Sequence, residues 1–420
     1  MQSDTSQRLN RTTVHHAVRV FLKIVVGILV IVITVISALL LIMWREHDTV
    51  ITLPAPSGSS KVGRVTFAWV DDTSADQSAE APARQRQVLV WMWYPATPPA
   101  NETTAEYLPL AWRAALAGRQ GRFMSSFFKR DPSVVRTHSF SNAPVSPAQS
   151  RYPVVLLRAG GSALTTDFTT LAEDLASHGY FVVGFDAPYR SFVVVLPDGR
   201  VIPREPQYNV ENANGNLADP LIGKLLAMWT SDAKFVVDRL QRLNQESASE
   251  FKGRMALDRL GIFGHSFGGA TALQFCHDDS RCRAAADLDG IPFGSVVRDG
   301  LTKPCMFILS DHSREMSDPS SHQVLGEIES IYKRLPDGRL YAVIHNANHF
   351  SFSDQILLNS QVAIHFLQRA RRLGGLEGWR GLAISADYVH TFFDVHLKGA
   401  PAASLTSLVT KYPEVQVEAQ

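Results

Sequence analysis

Gly264-His265-Ser266-Phe267-Gly268-Gly269 is the segment of this chain best suited to chemistry. A serine stands between two glycines, each two residues away. The apolar run Leu260-Gly261-Ile262-Phe263 leads into it, and the small residues Gly268, Gly269 and Ala270 lead out. This order predicts a strand, a sharp turn and a helix. A serine in so tight a turn has a strained backbone, and its neighbours two residues either side must lack a Cβ. Its oxygen then stands at a strand's carboxyl end and a helix N-terminus, where developing negative charge is favoured. The bland alternative is a glycine-rich turn with an inert serine.

A serine nucleophile needs a base, and the base needs an orienting acid. In sites of this kind the chain order is Ser, acid, His. Seven histidines lie beyond residue 289: His312, His322, His345, His349, His365, His390 and His396. His365, His390 and His396 fall in helical patterns and suit surface or packing positions. His345 ends the strand-like run Leu340–Ile344. His349 lies in the loop after that run, in His349-Phe350-Ser351-Phe352, and loop position favours it as the mobile base. For the acid, Asp287 and Asp289 end the run Ala284–Leu288, and Asp311 follows Met306–Ser310. Position alone leaves Asp289 and Asp311 equivalent. Acyl transfer also needs two backbone N–H groups for the oxyanion. Phe267 offers one, and the loop Arg158-Ala159-Gly160-Gly161-Ser162, after Val154–Leu157, should offer the other. His345 and His349 lack an accompanying carboxylate ligand motif, so no zinc site is read. No phosphate loop or dinucleotide fingerprint is present, and the chemistry calls for no cofactor.

These residues must be positioned by regular elements. From residue 152 onward the pattern alternates strand and helix. Val154–Leu157, Tyr180–Phe185, Leu260–Phe263, Ala284–Leu288, Met306–Leu309 and Leu340–Ile344 read as strands. Leu164–Leu175, Leu225–Leu243, the stretch through Phe275, runs near 321–335 and 354–372, and Ile384–Leu397 read as helices. Phe192–Ile202 reads as a hairpin around Pro197-Asp198-Gly199. Such alternation predicts an α/β fold, with a mostly parallel sheet covered by helices on both faces. Upstream, Val62–Val70 and Gln87–Tyr94 form a hairpin-like opening around a polar loop at 71–85. Pro-rich turns and one helix-like patch, Leu108–Arg130, fill 95–150.

The N-terminus differs from the rest. Ile24 to Trp44 runs 21 residues without a charge. As a helix at ~1.5 Å per residue it matches a bilayer core of ~30 Å. The preceding segment carries Arg8, Arg11, Arg19 and Lys23 against Asp4 alone. The positive-inside rule keeps that tail cytoplasmic and translocates the remainder. A cleaved signal would have a shorter apolar region and a small-residue site, whereas this run ends in Leu-Leu-Leu-Ile-Met-Trp. The expected organisation is a cytoplasmic tail at 1–23, a signal-anchor helix at 24–44, a linker at 45–60, one catalytic domain at 61–400 and a C-terminal tail at 401–420. The patch at 108–130 reads as a lid, a membrane-facing surface or a packed helix with solvated charges.

Composition narrows the classes further. The chain has 420 residues, 45% of them hydrophobic, with 41 basic against 40 acidic side chains. That excludes a disordered chain and a polybasic nucleic-acid binder. Three cysteines exclude a disulfide scaffold. Cys276 and Cys282 are close enough in sequence for a bridge in an oxidising compartment, and the spacing leaves this open. Cys305, in Pro304-Cys305-Met306-Phe307-Ile308-Leu309, reads as a buried free thiol.

Over roughly residues 86–400 the chain resembles the α/β-hydrolase superfamily, and specifically the platelet-activating factor acetylhydrolase family. The resemblance is carried by several segments. Val88-Leu89-Val90-Trp91-Met92-Trp93-Tyr94-Pro95-Ala96 is similar to that family's opening strand. Tyr152-Pro153-Val154-Val155 with Leu175-Ala176-Ser177-His178-Gly179-Tyr180 is similar to its first core unit. Gly264–Gly269 resembles its nucleophile turn, and Asn348-His349-Phe350-Ser351-Phe352-Ser353-Asp354 its histidine segment. Asp287-Leu288-Asp289-Gly290 resembles its acid segment, so the resemblance selects Asp289 over Asp311. Phe392–Gly399 resembles a C-terminal helix of related bacterial esterases. One segment departs: the family's oxyanion loop usually opens with His-Gly, where this chain has Arg158-Ala159, which leaves Gly160 as the backbone donor.

The resemblance implies an α/β-hydrolase fold and a serine ester hydrolase with Ser266, His349 and Asp289 as its triad. Phe267 and Gly160 would form its oxyanion hole. It implies a small-molecule or lipid ester substrate, such as a phospholipid with a short or modified acyl group. Neither nucleic acid nor an obligate protein partner is called for. A serine peptidase or thioesterase could use the same triad, although no added domain to gate peptides is evident. A non-catalytic, membrane-tethered binding protein on the same fold is the third expectation.

Overall fold

In a computed structural model of the chain, residues 2–75, 85–213, 219–312, 319–335, 339–370 and 373–418 are described. The chain opens with one long helix, α1 (Gln2–His47). Its residues 16–47 are long and apolar enough to cross a membrane, and most of their apolar side chains are exposed.

The segment at 45–60, expected as a linker, is instead tied to the domain. α1 runs on to His47, and β1 (Ile51–Thr52) pairs with a later strand. The backbone N–H groups of Ser57 and Gly58 donate to the Asp174 carboxylate and the Ser177 hydroxyl. Backbone groups satisfied in this way lose the freedom of a linker. Next come β2 (Lys61–Ala75) and β3 (Gln85–Ala96), the expected antiparallel hairpin, both longer than their apolar runs. Most of the polar loop between them, at 76–84, lies outside the described residues.

The stretch at 95–150 holds more regular structure than expected. It contains β4 (Thr104–Glu106), α2 (Leu110–Gln120), α3 (Arg122–Phe128) and β5 (Val135–Ser141). Leu108–Arg130 is therefore two helices, broken where Gly121 takes a positive φ of 85°. In β5, buried Val135, Thr137 and Ser139 alternate with more exposed residues, as in a half-buried strand.

The alternating region follows as read. It begins β6 (Tyr152–Arg158), α4 (Thr169–Ser177) and β7 (Phe181–Asp186). A small hairpin, β8 (Val193–Val195) and β9 (Val201–Pro203), precedes α5 (Pro220–Leu243). Then come β10 (Met255–His265), α6 (Phe267–Asp278), β11 (Cys282–Leu288), α7 (Ser295–Asp299) and β12 (Cys305–Leu309). The last core unit is α8 (Pro319–Lys333) and β13 (Leu340–Ile344). The helical run expected at 354–372 is split into α9 (Gln355–Leu358) and α10 (Gln361–Arg369), and α11 (Gly378–Lys398) follows. The expected tail at 401–420 is in fact α12 (Ala403–Lys411) and β14 (Val415–Glu418). It adds a strand antiparallel to β13, because Leu405, Leu408, Tyr412 and Val415 are apolar and bury against the core.

The main sheet has 12 strands in the order β1-β5-β2-β3-β7-β6-β10-β11-β12-β13-β14, with β4 beside β5. From β7 to β13 all neighbours are parallel. Alternate residues feed separate cores: Val155, Leu157 and Phe263 on one face, Val154, Leu156 and Ile262 on the other. α4, α11 and α12 cover the first face; α5, α6 and α8 cover the second. The chain runs from β6 to β7 on one side, then crosses to β10 on the other. Ligands in open α/β sheets sit at such a reversal, off the carboxyl ends of the strands.

Candidate active site

Ser266 lies at that reversal, between β10 and α6. Its φ of 57° and ψ of −127° place a residue with a Cβ in a conformation that costs roughly 1–3 kcal/mol. The surroundings enforce it. A Cβ on Gly264 would lie 2.1 Å from the Gly268 carbonyl oxygen, and one on Gly268 would lie 2.1 Å from the Arg158 carbonyl oxygen. The Ser266 N–H donates to the Leu288 carbonyl, tying the turn to β11. Phe267 is the first residue of α6, so its N–H has no carbonyl partner within the helix.

Asp289 ends β11, and its side chain is 1% exposed. Its φ of 54° is also positive. Oδ2 accepts from His349 Nδ1 at 2.7 Å and from the Ser310 hydroxyl at 2.8 Å. Oδ1 accepts from the Ser310 N–H at 2.8 Å and from His312 Nε2 at 3.0 Å. Burial alone would raise this carboxyl. The hydrogen bonds from His312 and His349, with their charges, outweigh burial and hold it well below the usual carboxylate range.

His349 sits in a 3-10 turn capped by Asn348, whose side chain accepts from the Phe350 N–H. His265, the residue before Ser266, packs against the His349 ring at 4.4 Å between centroids, with the planes tilted by 39°. It donates from Nε2 to the His349 carbonyl oxygen at 2.8 Å. Burial, and then the neighbouring His349, push the His265 imidazole down to about 3. It is therefore a neutral ring that braces the His349 turn against the strand carrying Ser266.

The competing candidates lie elsewhere. Asp287 is fully buried, accepts from the Gly290 N–H and meets no histidine among the described contacts. Asp311 accepts from the Asn346 N–H at 2.8 Å, and His345 Nδ1 lies 3.9 Å from its carboxylate. Both belong to a loop staple. His322 and His365 are exposed, His396 packs on Phe392, and His390 pairs with Asp174.

On the other side of Ser266, a Cβ on Gly160 would come within 3.0 Å of the Ser266 Cβ. The Gly160 carbonyl accepts from Ala163, and the Gly161 carbonyl from Arg204 at 2.7 Å. These bonds hold the loop against the turn that carries Ser266. Arg158, which stands where a His-Gly loop would open, turns away from it. Its guanidinium lies 3.7 Å from the Trp229 ring centroid and donates to the Phe185 carbonyl. Burial lowers this guanidinium to about 10, with Asp232 and Asp186 opposing. Between α2, α3, the loop at 158–162 and α9 lies a cavity of about 230 Å³, lined among others by Leu108, Arg113, Lys129, Leu164 and Phe192.

Sequence reading missed His312, Ser310 and the bracing role of His265. A signal existed for the first two: Ser310-Asp311-His312 follows directly on a strand beside the acid's strand. Cys276 and Cys282 form a disulfide, and Cys305 is a buried thiol pushed well up by burial.

Among the described residues, Asp174, His178 and His390 form one further group with metal-ligand chemistry. The two imidazoles stack at 3.8 Å with planes 17° apart. A bound metal lies near the plane of each ligating ring, which nearly parallel stacked rings cannot both provide. Ser57 fills the Asp174 and His178 hydrogen bonds, so the group serves as a clasp for the chain after α1.

Comparison with known proteins agrees with this architecture. The model of the family "Platelet-activating factor acetylhydrolase, isoform II" matches residues 47–194 and 234–398. The chain is 23% identical over 396 residues to a probable 1-alkyl-2-acetylglycerophosphocholine esterase of Arthroderma benhamiae, covering 86% of this chain and 92% of that one. It is 24% identical over 295 residues to the platelet-activating factor acetylhydrolase of Cavia porcellus, covering 62% and 64%. A solved ferulic acid esterase from Streptomyces cinnamoneus superposes with a TM-score of 0.69 at 26% identity, over 87% of this chain and 98% of its own. The chain belongs to the platelet-activating factor acetylhydrolase isoform II family and has the α/β-hydrolase fold.

Proposed function

We propose that this chain is a serine carboxylic-ester hydrolase of the platelet-activating factor acetylhydrolase type, in which Ser266, His349 and Asp289 form the triad. The observation that carries the assignment is the 2.7 Å bond from His349 Nδ1 to a buried Asp289, beside a serine in a strained, glycine-flanked turn. Family membership and esterase relatives support the reaction class.

Ser266 attacks the ester carbonyl while Nε2 of His349 takes its proton. Asp289 keeps the Nδ1 proton in place, so Nε2 is the free base, and it stabilises the imidazolium that forms. The Phe267 and Gly160 N–H groups hold the tetrahedral oxyanion; each such donor is typically worth about 10²–10³-fold in rate. His349 returns the proton to the leaving alkoxide. Water then attacks the acyl carbon while His349 takes its proton; the bond to Ser266 Oγ breaks, His349 returns that proton to Oγ, and the acid leaves.

The substrate we assign is an ester with a short or modified acyl group, carried on a phospholipid or a related amphiphile. The names of the relatives and the small cavity near the oxyanion loop support this. We assign α1 as a membrane anchor, with the catalytic domain on the extracytoplasmic side. Its length, its exposed apolar surface and the basic residues before it support this reading. A fluorophosphonate probe should label the wild type, and Ser266→Ala should abolish labelling and lower kcat by about 10⁴-fold or more. Labelling that survives Ser266→Ala would sink the triad. A panel of short-chain phospholipid, simple ester, thioester and peptide substrates then fixes the class; peptide or thioester turnover above ester turnover would overturn it.

A further inference from the structure

The Asp289 carboxylate holds more than a triad requires. Its two oxygens receive four hydrogen bonds, two each: Ser310 N–H and His312 on Oδ1, Ser310 hydroxyl and His349 on Oδ2. Acyl transfer uses one imidazole, and here two imidazoles meet one acid. The His312 side chain is 30% exposed, and its Nε2 also lies 3.3 Å from the Ser310 hydroxyl. Facing a carboxylate, Nε2 must carry a proton and donate.

We propose that His312 is a positioning residue of the triad: its Nε2–H pins Oδ1 of Asp289 so that Oδ2 stays turned to His349, and it withholds part of the carboxylate's charge from that base. The proposal rests on the assignment of Asp289 and His349 as acid and base. With Oδ1 held, rotation about the carboxylate's own bond would break two hydrogen bonds at once. With charge shared between two donors, the imidazolium of His349 is less stabilised than in a two-member pair. Without His312 the whole of that charge would act on His349, so activity of a variant lacking it should fall away at a higher pH than that of the wild type. Among the described residues, His312 faces Asp289, just past β11, and the Ser310 hydroxyl; His349 shares Asp289 with it, Asp311 adjoins it in the chain, and His265 backs His349 from β10. Residues 313–318, which follow it, lie outside the described residues. The strength of the His312 bond among the influences holding Asp289 down accords with this role.

The test is the pH dependence of kcat/KM on a water-soluble ester for the full chain. His312→Ala should lower kcat by about tenfold with KM within about twofold, and should move the acid limb upward by about 0.5–1 pH. His312→Gln, which keeps an N–H near the same place, should recover most of kcat and return the limb toward wild type. An unmoved limb and unchanged kcat in His312→Ala overturn the proposal. So does a His312→Gln variant as impaired as the alanine one with a lower Tm, which would mark a packing role. If His312→Ala does not fold, His312→Gln decides: a near-wild-type limb and kcat support the proposal, and a loss of either overturns it. Failure of Ser266→Ala to abolish labelling would instead overturn the triad itself, so the two failures are separable.

Discussion

Asp287 and Asp289 stand one leucine apart and are driven to opposite charge states. Asp287 is buried with a single hydrogen bond from Gly290, and burial, then the charge of Asp289, holds it well above the usual range. Asp289 is equally buried, yet four donors hold it ionised. Asp289→Asn should therefore cost about 10³–10⁴-fold in kcat, because the amide would leave His349 in the wrong tautomer. Asp287→Asn resembles the neutral carboxyl that burial favours there, and should leave kcat within about threefold. The pH signs differ too. The stability of a raised carboxyl is present below its unfolded value near ~3.9 and is lost as pH rises through the folded value. That of a depressed carboxyl is present above ~3.9 and is lost as pH falls through the folded value. Melting curves should show Asp287→Asn removing a loss on the alkaline side, and Asp289→Asn removing a loss on the acid side; no change in either would refute the assigned charge states. Sequence could name both aspartates but not separate them from Asp311, since the choice depends on which strand ends meet. The parallel pairing of Leu288 with Ile308 sets Asp289 beside Ser310. Strand pairing is a property of the sheet, not of the residues around either aspartate, and His312 escaped notice for the same reason.

At the scale of elements, the parallel core was legible because each strand is a continuous apolar run followed by a helix-spaced one. Short or polar elements at the rim were not. β5 reads Val-Arg-Thr-His-Ser-Phe-Ser, and its buried polar residues conceal the alternation. β14 has only four residues, and α12 mixes serine and threonine with its two buried leucines. Yet these rim elements support the site. β14 pairs with Tyr341–Ile344 of β13, the strand that delivers the His349 loop. A chain ended after Ala400 would lose the burial of Leu405, Leu408, Tyr412 and Val415, about 1.5–3 kcal/mol each. That sum approaches the whole stability of an ordinary domain, about 5–15 kcal/mol. We expect the truncated chain to be largely insoluble, or to melt far below the full chain and label weakly with fluorophosphonate. A truncation with an unchanged Tm would show the rim to be dispensable.

At the scale of the molecule, the end of α1 is hydrogen-bonded into the domain where sequence suggested a tether. The Glu46 carboxylate accepts from the Ser360 hydroxyl, the Gln361 N–H and the Arg130 guanidinium, and His47 Nδ1 bonds the Lys129 carbonyl. α1 also packs on α3 and α10. Removal of residues 1–44 leaves this clamp in place. It should release the enzyme from sedimenting membranes while leaving turnover of a soluble ester within about threefold, since the domain buries its own core. Loss of that turnover would make the helix part of the catalytic fold. In a bilayer, a lone helix can spin about its axis but gives little vertical play to what is bolted to its end. On the anchoring proposed above, the domain would behave as a turntable at fixed height, its mouth free to face any direction in the plane of the membrane but not to rise from it. Each full turn of helix inserted before Glu46 would lift that mouth by about 5.4 Å. Hydrolysis of esters held in vesicles should fall with each added turn, while that of dissolved esters should not.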